Sequence, residues 1–181
     1  FGVVFIADEI QAGYGRTGDF FAYQKHQVQP DIITIAKGMG NGFPIGGVLI
    51  HKNIKPWHGM LGTTFGGNHL ACAAAIAVLD ILKQENLMGI VRDRYHFILE
   101  QKNLPGVKQI KGRGLMLGFE FEFEVSQLRK DLLYKHHIFT GASSNKNLLR
   151  ILPPLNISES DLQFFLESLQ VAVHQLQNPT Q

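Results

Sequence analysis

The sequence holds a single cysteine, Cys72, in 181 residues. That excludes a disulfide framework and a cysteine-rich zinc site, and it favours a reducing compartment such as the cytoplasm. Long hydrophobic runs are missing too. The longest small and apolar stretch, residues 70–82, carries Asp80 and falls short of the ~20 apolar residues that cross a bilayer. Neither sign of charge dominates, with 17 Lys+Arg against 15 Asp+Glu and a formal net charge of +2. A disordered chain and an electrostatic nucleic-acid binder are therefore not expected. The first residues have neither the basic leader nor the cleavage motif of a secretory signal, and no start methionine. They open directly in an apolar run, Phe1-Gly-Val-Val-Phe-Ile-Ala7, which reads as a strand cut from a larger protein.

What is present is a chain that is 45% apolar, enough for a sizeable core in one or two domains. The opening run is apolar on both faces and ends at Asp8, the pattern of a buried parallel strand. A loop with three glycines follows, from Gln11 to Gly18, then a short helix over 20–26. Residues 32–36 read as a second strand ending at Lys37, residues 38–44 as a glycine-rich loop, and 47–51 as a third strand. Asn68 is a good cap for a helix over 69–84, whose alanines predict close packing against a neighbour. A second helix is expected over 86–102. Beyond Pro105, strands at 107–110 and 114–122 are joined by Lys111-Gly-Arg-Gly114. The alternating Phe119-Glu-Phe-Glu-Phe123 predicts a sheet with one wet face. A helix over 127–137, a strand over 148–152 and an amphipathic helix over 159–176 complete the chain. The expected architecture is α/β to about residue 85, a bridging helix over 86–104, and an α+β part over 105–181.

Two polar residues end the first two strands, Asp8 and Lys37. In open α/β sheets, ligands bind beyond the carboxyl ends of the strands. A lysine near a low-dielectric wall becomes a nucleophilic amine, suited to condensing with an aldehyde. A carboxylate opposite it can hold a protonated ring nitrogen. Together these are the requirements of pyridoxal phosphate. Thr63-Thr64, then Gly66-Gly67 and a helix start at Asn68, suit an anion such as its phosphate. They suit a plain capped helix equally well.

At this point the motifs are specific. Ala7-Asp-Glu-Ile-Gln-Ala-Gly-Tyr-Gly-Arg-Thr-Gly18 resembles the aspartate-bearing segment of the class III aminotransferases of the ornithine and acetylornithine type. Ile35-Ala-Lys-Gly-Met-Gly-Asn-Gly-Phe-Pro-Ile-Gly-Gly47 resembles their cofactor-lysine segment, and Gly62-Thr-Thr-Phe-Gly-Gly-Asn68 their phosphate and substrate loop. Leu149-Arg-Ile-Leu-Pro-Pro-Leu155 is similar to a segment near the end of their small domain. The order matches, and so does the 29-residue separation of Asp8 and Lys37.

The resemblance implies a fold of type I among pyridoxal-phosphate-dependent transferases: the second half of the large domain (1–85), then the small domain. It implies that Lys37 bonds the cofactor and moves the proton, that Asp8 pairs with the pyridine nitrogen, that Ile10 packs on the ring, and that Gln11 bonds near the ring hydroxyl. Thr64 would reach the phosphate held by a neighbouring subunit, which implies a homodimer. Thr63 and Arg150 would contact substrate, although a structural salt bridge is the plainer reading of Arg150. Ala12 and His69 depart from the family's common threonine and proline. In the family a phosphate-binding glycine loop, a ring-stacking aromatic and a carboxylate-binding arginine come from a preceding half, so these 181 residues are expected to hold half a site. The implied reaction moves an amino group from N-acetylornithine or N-succinylornithine to 2-oxoglutarate. Ornithine, 4-aminobutyrate, the aminomutase and decarboxylase relatives, or a non-catalytic module are the alternatives.

Other constellations are weaker. Among eight histidines, the adjacent His136 and His137 would diverge on a helix and rarely share an ion, so no metal site is expected. Gly112-Arg-Gly-Leu-Met-Leu-Gly118 leads into a strand, against a dinucleotide fingerprint. The phenylalanine stripe reads as core. Cys72, on the alanine-rich helix, reads as a buried small hydrophobe.

Overall fold

The computed structural model describes residues 2–101 and 104–178. Phe1 and Lys102, which begin the first expected strand and end the second expected helix, lie outside the described residues. The chain divides into two compact units, Phe1–Gly89 and Ile90–Gln181.

The first unit carries strands β1 (Ile6–Asp8), β2 (Ile32–Ile35) and β3 (Gly47–Ile50), and helix α1 (His69–Gln84). β1 and β2 pair in parallel, with Asp8 opposite Thr34. β3 runs antiparallel to β2, with Val48 opposite Thr34. Because side chains alternate across a sheet, Asp8, Thr34 and Val48 share one face, while Ala7 and Ile33 share the other. The second face is the drier: Ala7, Ile33 and Ile35 are all buried. The expected short helix is a 3₁₀ helix over Ala22–His26, and Lys37–Met39 forms a single 3₁₀ turn inside the expected loop. α1 has the predicted bounds and cap, with the Asn68 side chain accepting from the Ala71 N–H at 3.0 Å.

Two expectations fail here. Parallel pairing holds for the first strand, but burial does not. Val3, Val4, Phe5 and Ile6 are 44–78% exposed, and among the described residues β1 is paired by β2 alone. On α1, only Ala71, Ala75 and Leu82 are buried, and Cys72 is exposed. Ala71, Ala75 and Leu82 form a narrow buried stripe, and Cys72 lies off it.

Helix α2 (Leu87–Glu100) contains the boundary between the units. The second unit continues with β4 (Val107–Arg113), β5 (Met116–Phe121), α3 (Ser126–His136), β6 (Leu148–Ile151) and α4 (Glu159–Gln177). The three strands form an antiparallel sheet in the order β4-β5-β6. Lys111 and Arg113, expected in the connection, are ladder residues instead, and the hairpin turns at Gly114 and Leu115. Alternation along β5 is as expected. Leu117, Phe119 and Phe121 are buried, whereas Glu120 on the wetter face pairs with Lys111 at 2.8 Å. The Lys111 ammonium holds the Glu120 carboxyl below the ordinary carboxylate range. α4 packs the stripe Leu162, Phe165, Leu166, Leu169, Ala172 and Val173 into the same core, the spacing of an amphipathic helix. Ser158 caps it, its hydroxyl accepting from the Asp161 N–H at 3.0 Å.

The Phe119 ring meets Phe165 edge-on at 5.9 Å between centroids and is fully buried. Phe119→Ala should therefore lower stability by about 3–5 kcal/mol in urea unfolding. By contrast, Phe139→Ala, at an 82% exposed position, should stay within about 0.5 kcal/mol.

Candidate functional site

Asp8 ends β1, and Lys37 follows β2, so both lie at the carboxyl end of adjacent parallel strands. Both are exposed. The Asp8 carboxylate is not loose. Its Oδ1 accepts the Ile10 N–H at 3.0 Å and the Thr34 hydroxyl at 3.2 Å. Ile10 and Gln11 follow in the turn that leaves β1 and are half-buried.

Glu9 does the opposite of its neighbour. It is 3% exposed, and its carboxylate reaches across the loop to accept the N–H groups of Ala22 at 3.0 Å and Tyr23 at 2.9 Å. Its own N–H donates to the Thr34 carbonyl at 3.0 Å, and its carbonyl accepts from Gly13, also at 3.0 Å. A buried carboxylate needs such partners. Here they close the excursion between β1 and the 3₁₀ helix on itself.

Lys37 sits at φ +43°, a left-handed conformation uncommon outside glycine. Its turn is closed by hydrogen bonds from the Gly40 and Asn41 N–H groups to the Lys37 carbonyl, both 3.1 Å. Gly40 has no substitute, since a Cβ there would overlap the Phe43 carbonyl and the Ile45 side chain. The two loops touch: a Cβ at Gly38 would lie 3.2 Å from the Tyr14 Cβ. Tyr14 is itself left-handed, at φ +55°, and packs its ring against Phe20 and Phe21. Burial pushes the Tyr14 phenol up and the neighbouring Arg16 guanidinium down from their ordinary values.

Thr63 and Thr64 are exposed in the segment before α1. Thr63 lies so close to Gly66 that any Cβ at Gly66 would overlap its side chain. With Phe65, Gly67 and Asn68, Thr63 faces Pro44, Ile45 and Val48 across a cavity of about 470 Å³. Neither Thr64 nor Asp8 nor Lys37 lines that cavity, though Val48 is the register partner of Thr34.

Arg150 belongs to the second unit. It is half-buried on β6, opposite Gly118 of β5, and bridges Gly141 on its other side. Its guanidinium donates to the Ala142 carbonyl at 3.4 Å. Gly141 makes room for its stem, since a Cβ there would lie 3.1 Å from the Arg150 Cβ. Glu9, Tyr14 and Thr34 were not singled out from the sequence. For Thr34 a signal existed, as the one hydroxyl in the run Ile32–Ile35, but only the register shows which carboxylate it meets.

Comparison with known proteins follows the same lines. The model of the class III aminotransferase family matches residues 1–173. The chain is 38% identical over 177 residues to a protein named acetylornithine aminotransferase from Corynebacterium efficiens, spanning 97% of this chain and 44% of that one. It is 41% identical over 174 residues to the protein of the same name from Bacillus subtilis, spanning 93% and 45%. An S-selective transaminase from Bacillus megaterium superposes with a TM-score of 0.87 at 27% identity, covering 98% of this chain and 45% of that chain. The chain thus spans less than half the length of these relatives. It belongs to the class III aminotransferase family, and its fold is that of the transaminases. Pyridoxal phosphate is the cofactor that this membership implies.

The Tyr14 phenol keeps its proton longer in the folded chain than in the unfolded one. Folded protein then binds more protons above the ordinary phenol value, and stability falls as pH rises through it. Unfolding measured between about pH 8 and about pH 11 should show this decline, and Tyr14→Phe should show a smaller one.

Proposed function

We propose that the protein moves an amino group from N-acetylornithine or N-succinylornithine to 2-oxoglutarate, as a step of arginine biosynthesis in the cytoplasm. The observation that carries this reading is the pairing of β1 with β2. It sets a tethered carboxylate, Asp8, and a lysine on a left-handed turn, Lys37, at the same end of the sheet. The names of the relatives from Corynebacterium efficiens and Bacillus subtilis support the acylated donor.

The residues fit pyridoxal phosphate by their chemistry. An exposed amine can bond its aldehyde, an exposed carboxylate can pair with its ring nitrogen, and the hydroxyls of Thr63 and Thr64 precede a helix N-terminus suited to an anion. When bound, the cofactor supplies an electron sink for negative charge developing at the substrate carbon. Lys37 would hold it through Nζ and, once free, would take the proton from the substrate carbon and return it. Asp8 would pair with the ring nitrogen, and Ile10 and Gln11 would position the ring. Thr63 would contact substrate, and Arg150 would help the site accept first the amine donor and then the 2-oxoglutarate/glutamate pair. Thr64 serves the neighbouring subunit's phosphate, so the working unit is a homodimer. The first unit then belongs to the large domain of the complete enzyme, and the second is its small domain.

Absorption of the full-length protein with pyridoxal phosphate tests this directly. A yellow band is expected, and N-acetylornithine should bleach it. A band that persists rejects this donor, and the absence of any band rejects the cofactor reading. Lys37→Ala should remove the band and slow turnover by a factor on the order of 10³ or more. Asp8→Asn should still take up cofactor but slow proton removal from the donor. Unchanged proton removal in that variant would refute the role given to Asp8.

A further inference from the structure

Asp8 is exposed, and an exposed carboxylate on the last residue of a strand would ordinarily sample several rotamers. Two donors oppose this. The Ile10 N–H comes from its own chain two residues on, and the Thr34 hydroxyl comes from the neighbouring strand. Both converge on Oδ1. An ionised carboxylate offers about four lone-pair sites, so two bonds on Oδ1 leave Oδ2 room for a cationic partner while fixing the plane of the group. The backbone bond cannot be tuned by a side chain. Thr34 is the tunable half.

Its placement is also enforced. Thr34 stands opposite Asp8 in the parallel register and opposite Val48 in the antiparallel one, so the hydroxyl sits in the middle of a row of three side chains on one face. Val48 offers it nothing polar. The Thr34 carbonyl accepts the Glu9 N–H at 3.0 Å, and Glu9 is clamped through its carboxylate to Ala22 and Tyr23. Both the strand that carries the hydroxyl and the residue after Asp8 are therefore held in place.

We infer that Thr34 is a positioning residue for Asp8: its hydroxyl fixes the orientation of the carboxylate toward the cofactor's ring nitrogen. This rests on the role given to Asp8 above.

Thr34→Val keeps the branched shape and strand preference and deletes only the hydroxyl, whereas Thr34→Ser keeps the hydroxyl. In the full-length protein stripped of cofactor, titration with pyridoxal phosphate followed by absorption should show T34V binding about tenfold more weakly, the equivalent of one hydrogen bond to a charged group. T34S should bind like wild type. With ring-¹⁵N pyridoxal phosphate, the nitrogen resonance of T34V should move toward the unprotonated position, and that of T34S should not. Turnover of T34V should fall in kcat with KM for the amino donor unchanged. In an Asp8→Ala background, which removes the acceptor, T34V should add no further loss of cofactor affinity. The inference is overturned if T34V matches wild type in affinity and nitrogen resonance. It is overturned equally if T34S is as impaired as T34V, or if the T34V loss is the same with and without the Asp8 carboxylate. Should wild type itself take up no pyridoxal phosphate, the role of Asp8 falls first, and this inference falls with it. Uptake by wild type with an unaffected T34V removes only the role of Thr34.

Discussion

The parallel registration of β1 on β2 is the constraint from which the first unit follows. Three residue pairs define it, Ile6 with Ile32, Ala7 with Ile33 and Asp8 with Thr34. Side chains alternate with a period of two, so a slip of one residue would send Asp8 to the dry face and Ala7 to the wet one. It would also separate Asp8 from the Thr34 hydroxyl and the Glu9 N–H from the Thr34 carbonyl. Both loops that leave the sheet start from this register. One begins at Glu9 and is tied back by that residue's own carboxylate. The other begins at Lys37, two positions beyond the end of β2.

These loops share an unusual backbone. Among the described residues, Tyr14, Lys37 and Asn41 are three of six non-glycine residues at positive φ, and all three fall on the two loops. Such conformations cost on the order of 1–3 kcal/mol each and persist where surrounding structure overdetermines them. Here the surroundings are visible. Tyr14 is wedged in an aromatic group with Phe20 and Phe21, and the Lys37 turn carries two hydrogen bonds to one carbonyl. Sheet register and loop strain thus act together to present a short carboxylate and a long amine from rigid supports.

Much of this was legible in the sequence because it is written in local signals. The bounds of α1 come from Asn68 and the alanine run, and the wet face of β5 from phenylalanines alternating with glutamates. Asp8 and Lys37 stand out as polar residues that end apolar runs. What was illegible depends on pairing across distance. Apolar character on both faces implied burial for the first strand, but burial is decided by what lies beside and above a strand, and among the described residues only β2 lies beside β1. Cys72 looked like core because its neighbours are small, yet a helix buries only one stripe, and Cys72 is off it. Lys111 and Arg113 looked like turn residues beside two glycines, whereas the ladder extends through them. Glu9 sits in the motif next to Asp8, and nothing local distinguishes the carboxylate that turns inward from the one that turns out.

Burial is unevenly shared between the two units. The large, continuous apolar cluster runs from Val91 to Val173 and lies wholly in the second unit. The first unit buries a shorter set, mainly Ala7, Tyr14, Phe21, Ile33 and Ile35 with the stripe of α1. Regions with few buried apolar contacts open at lower free energy than core strands and helices. Amide protons of β1, β2 and the Lys37 turn should accordingly exchange with solvent sooner than those of β5 and α4. A ligand that Asp8 and Lys37 would hold under the proposed function lowers the free energy of the closed form only where it binds. Occupancy would therefore slow exchange in the first unit and leave the second nearly unchanged, so that the more fragile half of the chain draws part of its rigidity from what it holds.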